Sequence, residues 1–210
     1  MIDLYTWTTP NGRKVSIMLE ELGADYSVHS VNIGQGEQHE PAFLALSPNN
    51  KIPAIYDHDG GVALMESAAI MIYLAEKYGQ FLPVSGKQRS NVLQWLMWQM
   101  GGLGPMLGQV HHFVHFNKGV SDYAEERFAS EAKRLYGVLD KQLSDNEFIA
   151  GNYSIADMAC WPWISRYEWQ QIDLKEFANV RRWYKQILKR EAVQKGYHIP
   201  KVMGEIPQGD

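Results

Sequence analysis

One cysteine, Cys160, occurs in 210 residues, so no intrachain disulfide can form and the chain fits a reducing compartment. Long apolar runs are missing too. Charges interrupt every candidate before it reaches the roughly 18–20 residues that a membrane helix needs, which argues against a membrane protein. No cationic region followed by an apolar segment opens the chain; Ile2-Asp3-Leu4-Tyr5 reads at once as a strand, and a cytoplasmic location is expected. There is no basic excess either. Twenty Lys and Arg stand against 24 Asp and Glu, a formal net charge of −4, without the cationic surplus that drives nucleic-acid binding. Charged residues make up only 21% of the chain against 45% hydrophobic, a balance too apolar for disorder. No internal repeat or low-complexity tract is present.

What remains is a chain with two textures. Over about the first eighty residues, short strand-like and helix-like segments alternate. Ile2 to Tyr5 is followed by turn material at Thr8-Thr9-Pro10-Asn11-Gly12, and then by a helical face of Val15, Met18, Leu19 and Leu22 stopped by Gly23. Tyr26 to Val31 alternates with period two, so strand, helix and strand form a βαβ unit with parallel strands. A short helix near Pro41 to Leu46 precedes a hairpin of 53–57 and 62–65 across Asp59-Gly60-Gly61, and a helix spans Ser67 to Tyr78. After Phe81-Leu82-Pro83 no strand pattern recurs. Helical stretches are expected from Gln88 to about His115, interrupted at Gly101-Gly102-Leu103-Gly104-Pro105, and then over 121–143, 154–167 and 180–188, with a frayed tail at Pro207 to Asp210. The expected architecture is an α/β module over residues 1–82 followed by an all-helical one over 88–203.

Each chemical motif has a plain folding alternative. Thr9-Pro10-Asn11-Gly12 opens the first helix. Helix-start amides can hold an anion or thiolate, with the Thr9 hydroxyl and Asn11 amide as further donors, but the same residues make an ordinary cap and turn. Pro53 stands at a strand start, where it costs no ladder bond; trans is the default for the Ile52–Pro53 bond, and a cis form would expose the Ile52 backbone. Glu66-Ser67 joins strand to helix: Ser67 suits an N-cap, and Glu66 with the helix start suits the ammonium and carboxylate of an amino acid. Ser154-Ile155-Ala156-Asp157 is a near capping box, with Asp in place of Glu. His111 and His115 share a helical face, but no nearby cysteine or clear carboxylate completes a metal set, so no metal is expected. Cys160, beside Trp161-Pro162-Trp163, reads as a buried, inert thiol.

Taken in order, these segments carry a resemblance that none carries alone. Thr9-Pro10-Asn11-Gly12, Lys51-Ile52-Pro53-Ala54-Ile55, Glu66-Ser67-Ala68-Ala69-Ile70 and Ser154-Ile155-Ala156-Asp157 resemble the glutathione transferase superfamily. Ser47-Pro48-Asn49-Asn50-Lys51, the run from Gly101 to Gln109 and Trp161-Pro162-Trp163 are similar to its bacterial nu class, described as glutathione-dependent disulfide-bond oxidoreductases. The resemblance implies a thioredoxin-like N-terminal domain, an all-helical C-terminal domain, a homodimer, and glutathione as co-substrate with glutathione disulfide and a small disulfide or electrophile as partners.

It also implies residue roles. Thr9 and Asn11 would lie at the glutathione sulfur, and Ile52, ahead of a cis Pro53, would pair with the cysteinyl backbone. Glu66 and Ser67 would hold the γ-glutamyl end, Gln38 and Lys51 would face the glycyl end, and Arg127 would lie near a ligand carboxylate unless it is simply a solvated helix charge. This sequence departs from other classes in having neither a tyrosine at the helix start, Tyr5 lying too early, nor a cysteine near Thr9. Two alternatives stand beside disulfide exchange: conventional conjugation, and a glutathione-binding regulator of the yeast nitrogen-catabolite type. The regulator depends on an additional polar region, and a chain whose first strand starts at its first residues favours the enzyme.

Overall fold

The computed structural model describes residues 1–210. It divides into two compact units, residues 1–82 with 189–206, and residues 83–188 with 207–210.

The first unit holds strands β1 (Ile2–Thr6), β2 (Tyr26–Ser30), β3 (Ala54–Asp57) and β4 (Val62–Met65) in the order β2-β1-β3-β4. β1 and β2 are parallel, as the intervening helix requires, whereas β3 runs antiparallel to both β1 and β4. Helices α1 (Pro10–Leu22), α2 (Pro41–Leu46) and α3 (Ser67–Tyr78) accompany the sheet, with a short 3₁₀ turn at Glu37–His39. α1 stops where expected: Gly23 takes the left-handed conformation at φ 59° and its amide closes the last turn. The hairpin end of the sheet is pinned by Asp57, a buried carboxylate that accepts from Lys77, from the Tyr73 hydroxyl at 2.6 Å and from the Asp59 amide at 3.1 Å. Burial pushes this carboxyl up, but these donors outweigh it and hold it down to about 2.

The last helix of the chain, α9 (Glu191–Tyr197), also belongs to this unit. The sequence pattern did not single it out, because seven residues with only Val193 and Tyr197 as large apolar positions make no periodic signal. Its place is set by docking on α1. Ser16 Oγ donates to the Gly196 carbonyl at 2.7 Å, and a Cβ on Gly196 would stand 2.6 Å from the Ile17 Cα, so only glycine permits the approach.

The second unit is helical, as expected. α4 (Gly86–Trp98) and α5 (Gly104–Val110) form one nearly continuous run with π-helical turns at Gln99–Leu103 and His111–Phe116. The glycine-rich interruption is therefore a widened helix rather than a break. Pro105 has no amide to donate and its ring crowds the preceding turn, which a π turn relieves. α6 (Asp122–Ser144), α7 (Ile155–Ile164) and α8 (Ala178–Leu188) follow. Every residue of α7 is buried, which makes it the core helix of the unit. Its start is the expected capping box: Ser154 Oγ accepts from the Ala156 amide at 3.3 Å and Asp157 accepts from the Ser154 amide at 3.0 Å. The expectation of a frayed tail fails. Tyr184 donates to the Pro207 carbonyl at 2.6 Å, Arg181 Nε to the Gly209 carbonyl at 2.7 Å, and the Gly209 amide to the Tyr167 hydroxyl at 3.2 Å; these three bonds outweigh the polar composition of the last residues.

Candidate active site

The strand directions bring the segments singled out in the sequence to one end of the first sheet. Thr6 pairs with Ser30, Tyr5 with Ala54, and Ala54 with Met65. The C-terminal ends of β1, β2 and β4 and the N-terminal end of β3 therefore coincide. From that edge emerge Thr9 and Asn11 after β1, Gln38 after β2, Lys51 and Ile52 before β3, and Glu66 and Ser67 after β4.

At the start of α1, Thr9 is the N-cap, and its Oγ1 accepts from the Gly12 amide at 3.2 Å. An amide can only donate, so this bond occupies an oxygen lone pair and leaves the hydroxyl proton for another acceptor. The folding and functional readings of Thr9 are thus compatible. Pro10 occupies the first turn, where a missing amide costs nothing. Gly12 has to be glycine, since a Cβ there would meet the Trp7 carbonyl oxygen at 2.2 Å. Asn11 is half-buried beside this start. Tyr5 is held within β1, stacked on His29 with centroids 4.7 Å apart, and burial raises its hydroxyl pKa. It therefore stays protonated and bound to the strand.

The Ile52–Pro53 peptide bond is cis, as the resemblance implies and against the default for the residue pair. Ile52 is buried in a small cluster with Val31, Phe43 and Ala54, on which Tyr5 and Trp7 pack. Its position is two residues beyond Ala54, where the register with β1 ends. Lys51 is exposed, and its carbonyl accepts from Ser47 Oγ at 2.8 Å. Gln38 is half-buried, and its Oε1 is a buried acceptor with no hydrogen-bond partner in the protein. Such an atom costs free energy until something donates to it, and Gln38 is thereby suited to a ligand amide.

The β4–α3 corner departs from the sequence reading by one residue. Glu66, not Ser67, is the N-cap of α3, and Ser67 is the first helical residue. Glu66 has φ 69° and ψ 112° and makes no side-chain cap bond. Positive φ is uncommon for a residue with a Cβ and concentrates at functional positions. It leaves the carboxylate exposed while its carbonyl accepts the Ile70 amide at 3.0 Å. Ser67 is buried at 3% exposure, and its Oγ accepts from Lys14 Nζ at 3.3 Å. Sequence reasoning missed Lys14. Its only signal was a position beside Val15, on a helix whose residues from Gly12 to Leu19 are all buried.

The remaining candidates lie in the second unit. Arg127 is exposed on α6, and its carbonyl accepts from Ser130 Oγ at 2.9 Å. Cys160 is fully buried in α7. His111 is stacked on Trp163 with centroids 5.6 Å apart, and its Nε2 lies 3.0 Å from Gln170 Nε2. The Gln170 amide nitrogen must donate, so the His111 nitrogen accepts and the ring is neutral. Burial first, and then the Arg166 and His115 charges, push its pKa down to about 4. No group of three or more His, Cys, Asp or Glu side chains is placed to hold a metal ion.

A parallel β1–α1–β2 unit joined to an antiparallel hairpin, with a cis-proline before β3 at the sheet edge where β1 ends, defines a thioredoxin-like domain, here joined to a helical one. The comparisons make the class specific. Residues 4–82 match the glutathione S-transferase N-terminal domain, and residues 105–191 match the C-terminal domain. The disulfide-bond oxidoreductase YfcG of Escherichia coli is 52% identical over 198 residues, covering 91% of this chain and 92% of YfcG. The chain belongs to the glutathione S-transferase family. A glutathione transferase from Pseudomonas putida, solved with one glutathione disulfide per subunit, superposes with a TM-score of 0.90 at 46% identity, covering 95% of this chain and 91% of that one. One from Pseudomonas fluorescens, solved with two glutathiones bound, gives 0.89 at 46% identity over 95% and 93%.

Proposed function

We propose that this protein is a glutathione-dependent disulfide-bond oxidoreductase of the bacterial nu class, working as a cytoplasmic homodimer. The observation that carries the reading is the start of α1: a capped helix end whose Thr9 hydroxyl proton remains to be donated, in a chain whose one cysteine is sealed inside α7. The names of YfcG and of the E. coli relative YghU, 40% identical, support the same activity.

The chemistry then runs on glutathione itself. A free thiol with a pKa near about 8.5 is mostly protonated at neutral pH, and a helix N-terminus lowers that value. Thr9 and Asn11 donate to the sulfur and favour the thiolate. It attacks the substrate disulfide, forming a glutathione mixed disulfide and releasing one substrate thiolate. A second glutathione thiolate attacks the mixed disulfide, giving glutathione disulfide and the other substrate thiolate, and both leaving thiolates take up protons. The domain of residues 1–82 binds glutathione. Ile52 pairs with its cysteinyl backbone, Glu66 and Ser67 hold the γ-glutamyl end, and Gln38 and Lys51 face the glycyl end. Arg127 is assigned to a ligand carboxylate on the resemblance alone.

A steady-state comparison of disulfide reduction with aromatic chloride conjugation, both in excess glutathione, tests the reading. Disulfide reduction should have the larger kcat/KM. The reverse order would assign a conventional conjugating transferase, and glutathione binding without either turnover would assign a regulator. A sedimenting species of only 24.0 kDa at micromolar protein would contradict the dimer.

A further inference from the structure

We propose that Lys201 is a specificity-determining residue for the disulfide, favouring small disulfides that carry a carboxylate close to the sulfur pair. The inference rests on the reading that a glutathione thiolate at the start of α1 attacks the substrate disulfide.

Lys201 is exposed, and its ammonium lies 4.2 Å from the ring centroid of Trp7. No carboxylate of the chain pairs with it. An exposed lysine ordinarily samples many rotamers in water, whereas the indole face holds this one by a cation–π contact. Trp7 in turn is tied to both elements assigned to the thiol. Its carbonyl oxygen accepts from the Thr9 amide at 2.7 Å, and its side chain packs on the cluster that contains Ile52. The segment that carries Lys201 is anchored as well. It follows α9, which is docked on α1 by the Ser16 bond to the Gly196 carbonyl at 2.7 Å and the Arg13 bond to the Tyr197 carbonyl at 3.0 Å. The unpaired ammonium is thus placed at the sheet edge from which Thr9 and Ile52 emerge.

Charge decides what such a group can select. Glutathione as thiolate bears two carboxylates and a sulfur anion against a single ammonium, and the protein itself has a formal net charge of −4. A disulfide with carboxylates approaches this assembly against repulsion, and a neutral one does not. A cation on Trp7 offsets that repulsion at short range, within a screening length of about 8–10 Å. The first turn of α1 contributes no acidic side chain that would cancel it. The two ends of glutathione are already assigned to Glu66 with Ser67 and to Gln38 with Lys51. Lys201 is therefore assigned to the incoming disulfide, whose carboxylate it attracts without taking part in the exchange of sulfur bonds.

Steady-state reduction of 3,3′-dithiodipropionate and of its neutral isostere 3,3′-dithiodipropionamide, in excess glutathione at low ionic strength, tests this. Each kcat/KM is divided by the rate constant of the uncatalysed exchange with glutathione, which removes the intrinsic effect of the carboxylates. The native protein should then favour the dianion by about three- to fivefold, the upper scale of an exposed ion pair. Roughly 0.5 M salt should abolish most of that preference. Lys201→Gln should bring the ratio to about one, Lys201→Glu should take it below one, and Lys201→Arg should keep it. A lysine that merely pins the C-terminal segment would change both disulfides alike. An unchanged ratio in Lys201→Gln and Lys201→Glu, or an equal loss for both substrates, overturns the role of Lys201. A raised KM for glutathione at an unchanged ratio would assign Lys201 to glutathione and overturns it too. Native protein that reduces neither disulfide overturns the reading of disulfide exchange, and the inference with it.

Discussion

The guanidinium of Arg13 lies 3.6 Å from the ring centroid of Tyr197, and its Nε donates to the Tyr197 carbonyl at 3.0 Å. Arg13 belongs to the helix whose start is the proposed thiolate site, and Tyr197 belongs to a segment 184 residues away in sequence. Glu21 and Arg190 form a paired contact further along, with Nη2 to Oε2 at 2.7 Å. The thioredoxin-like unit is thus completed by residues near the end of the chain, and α1 is held along its length.

Gly196→Ala tests this dependence. The added methyl group would press on the Ile17 backbone, which cannot move aside like a side-chain tip. Urea unfolding should show a loss of about 1–3 kcal/mol, the usual cost of overpacking. Unchanged stability would mean that α9 is not tightly docked on α1.

Glu66→Gln should raise the KM for glutathione by roughly tenfold or more while changing kcat little. On the proposed reading the carboxylate faces the ligand's ammonium, remote from the sulfur, and a hydrogen bond between charged groups contributes about 1.5–3 kcal/mol. Initial rates across a glutathione series separate the two constants. A collapsed kcat at unchanged KM would move Glu66 into the chemistry.

His111 predicts an acid weakness of the helical unit. Its native pKa is about 4 against 6.5 for the free side chain. Between those values the unfolded chain binds a proton that the folded chain refuses, so stability falls as pH drops from 6.5 towards 4. The shift corresponds to about 3 kcal/mol lost across the window. Denaturant midpoints at several pH values should follow this slope, and His111→Phe, which keeps the stack on Trp163, should flatten it. An unchanged slope in the variant would place the titrating group elsewhere.

The periodic parts of the fold were legible. Val15, Met18, Leu19 and Leu22 announced α1, and the alternation of Tyr26 to Val31 announced β2. The capping box at Ser154 and Asp157 is a local code that the structure uses unchanged. The parts that could not be read depend on partners distant in sequence. α9 forms because Gly196 fits against Ile17, and the last residues are ordered because Tyr167, Arg181 and Tyr184 bond their backbone. At the candidate site, Thr9, Ile52 and Ser67 could be named from local motifs. Lys14 could not, because a lysine on an amphipathic helix reads as solvated until the structure shows it under Ser67.

Disulfide exchange without a protein cysteine is the central claim, and Cys160→Ala tests it most directly. Steady-state reduction of a model disulfide in excess glutathione should proceed at close to the native kcat/KM in this variant, since the thiol is fully buried in α7. In the same assay, Thr9→Ala combined with Asn11→Ala should lose most of the activity. A folded Cys160→Ala protein without disulfide reductase activity would contradict the mechanism.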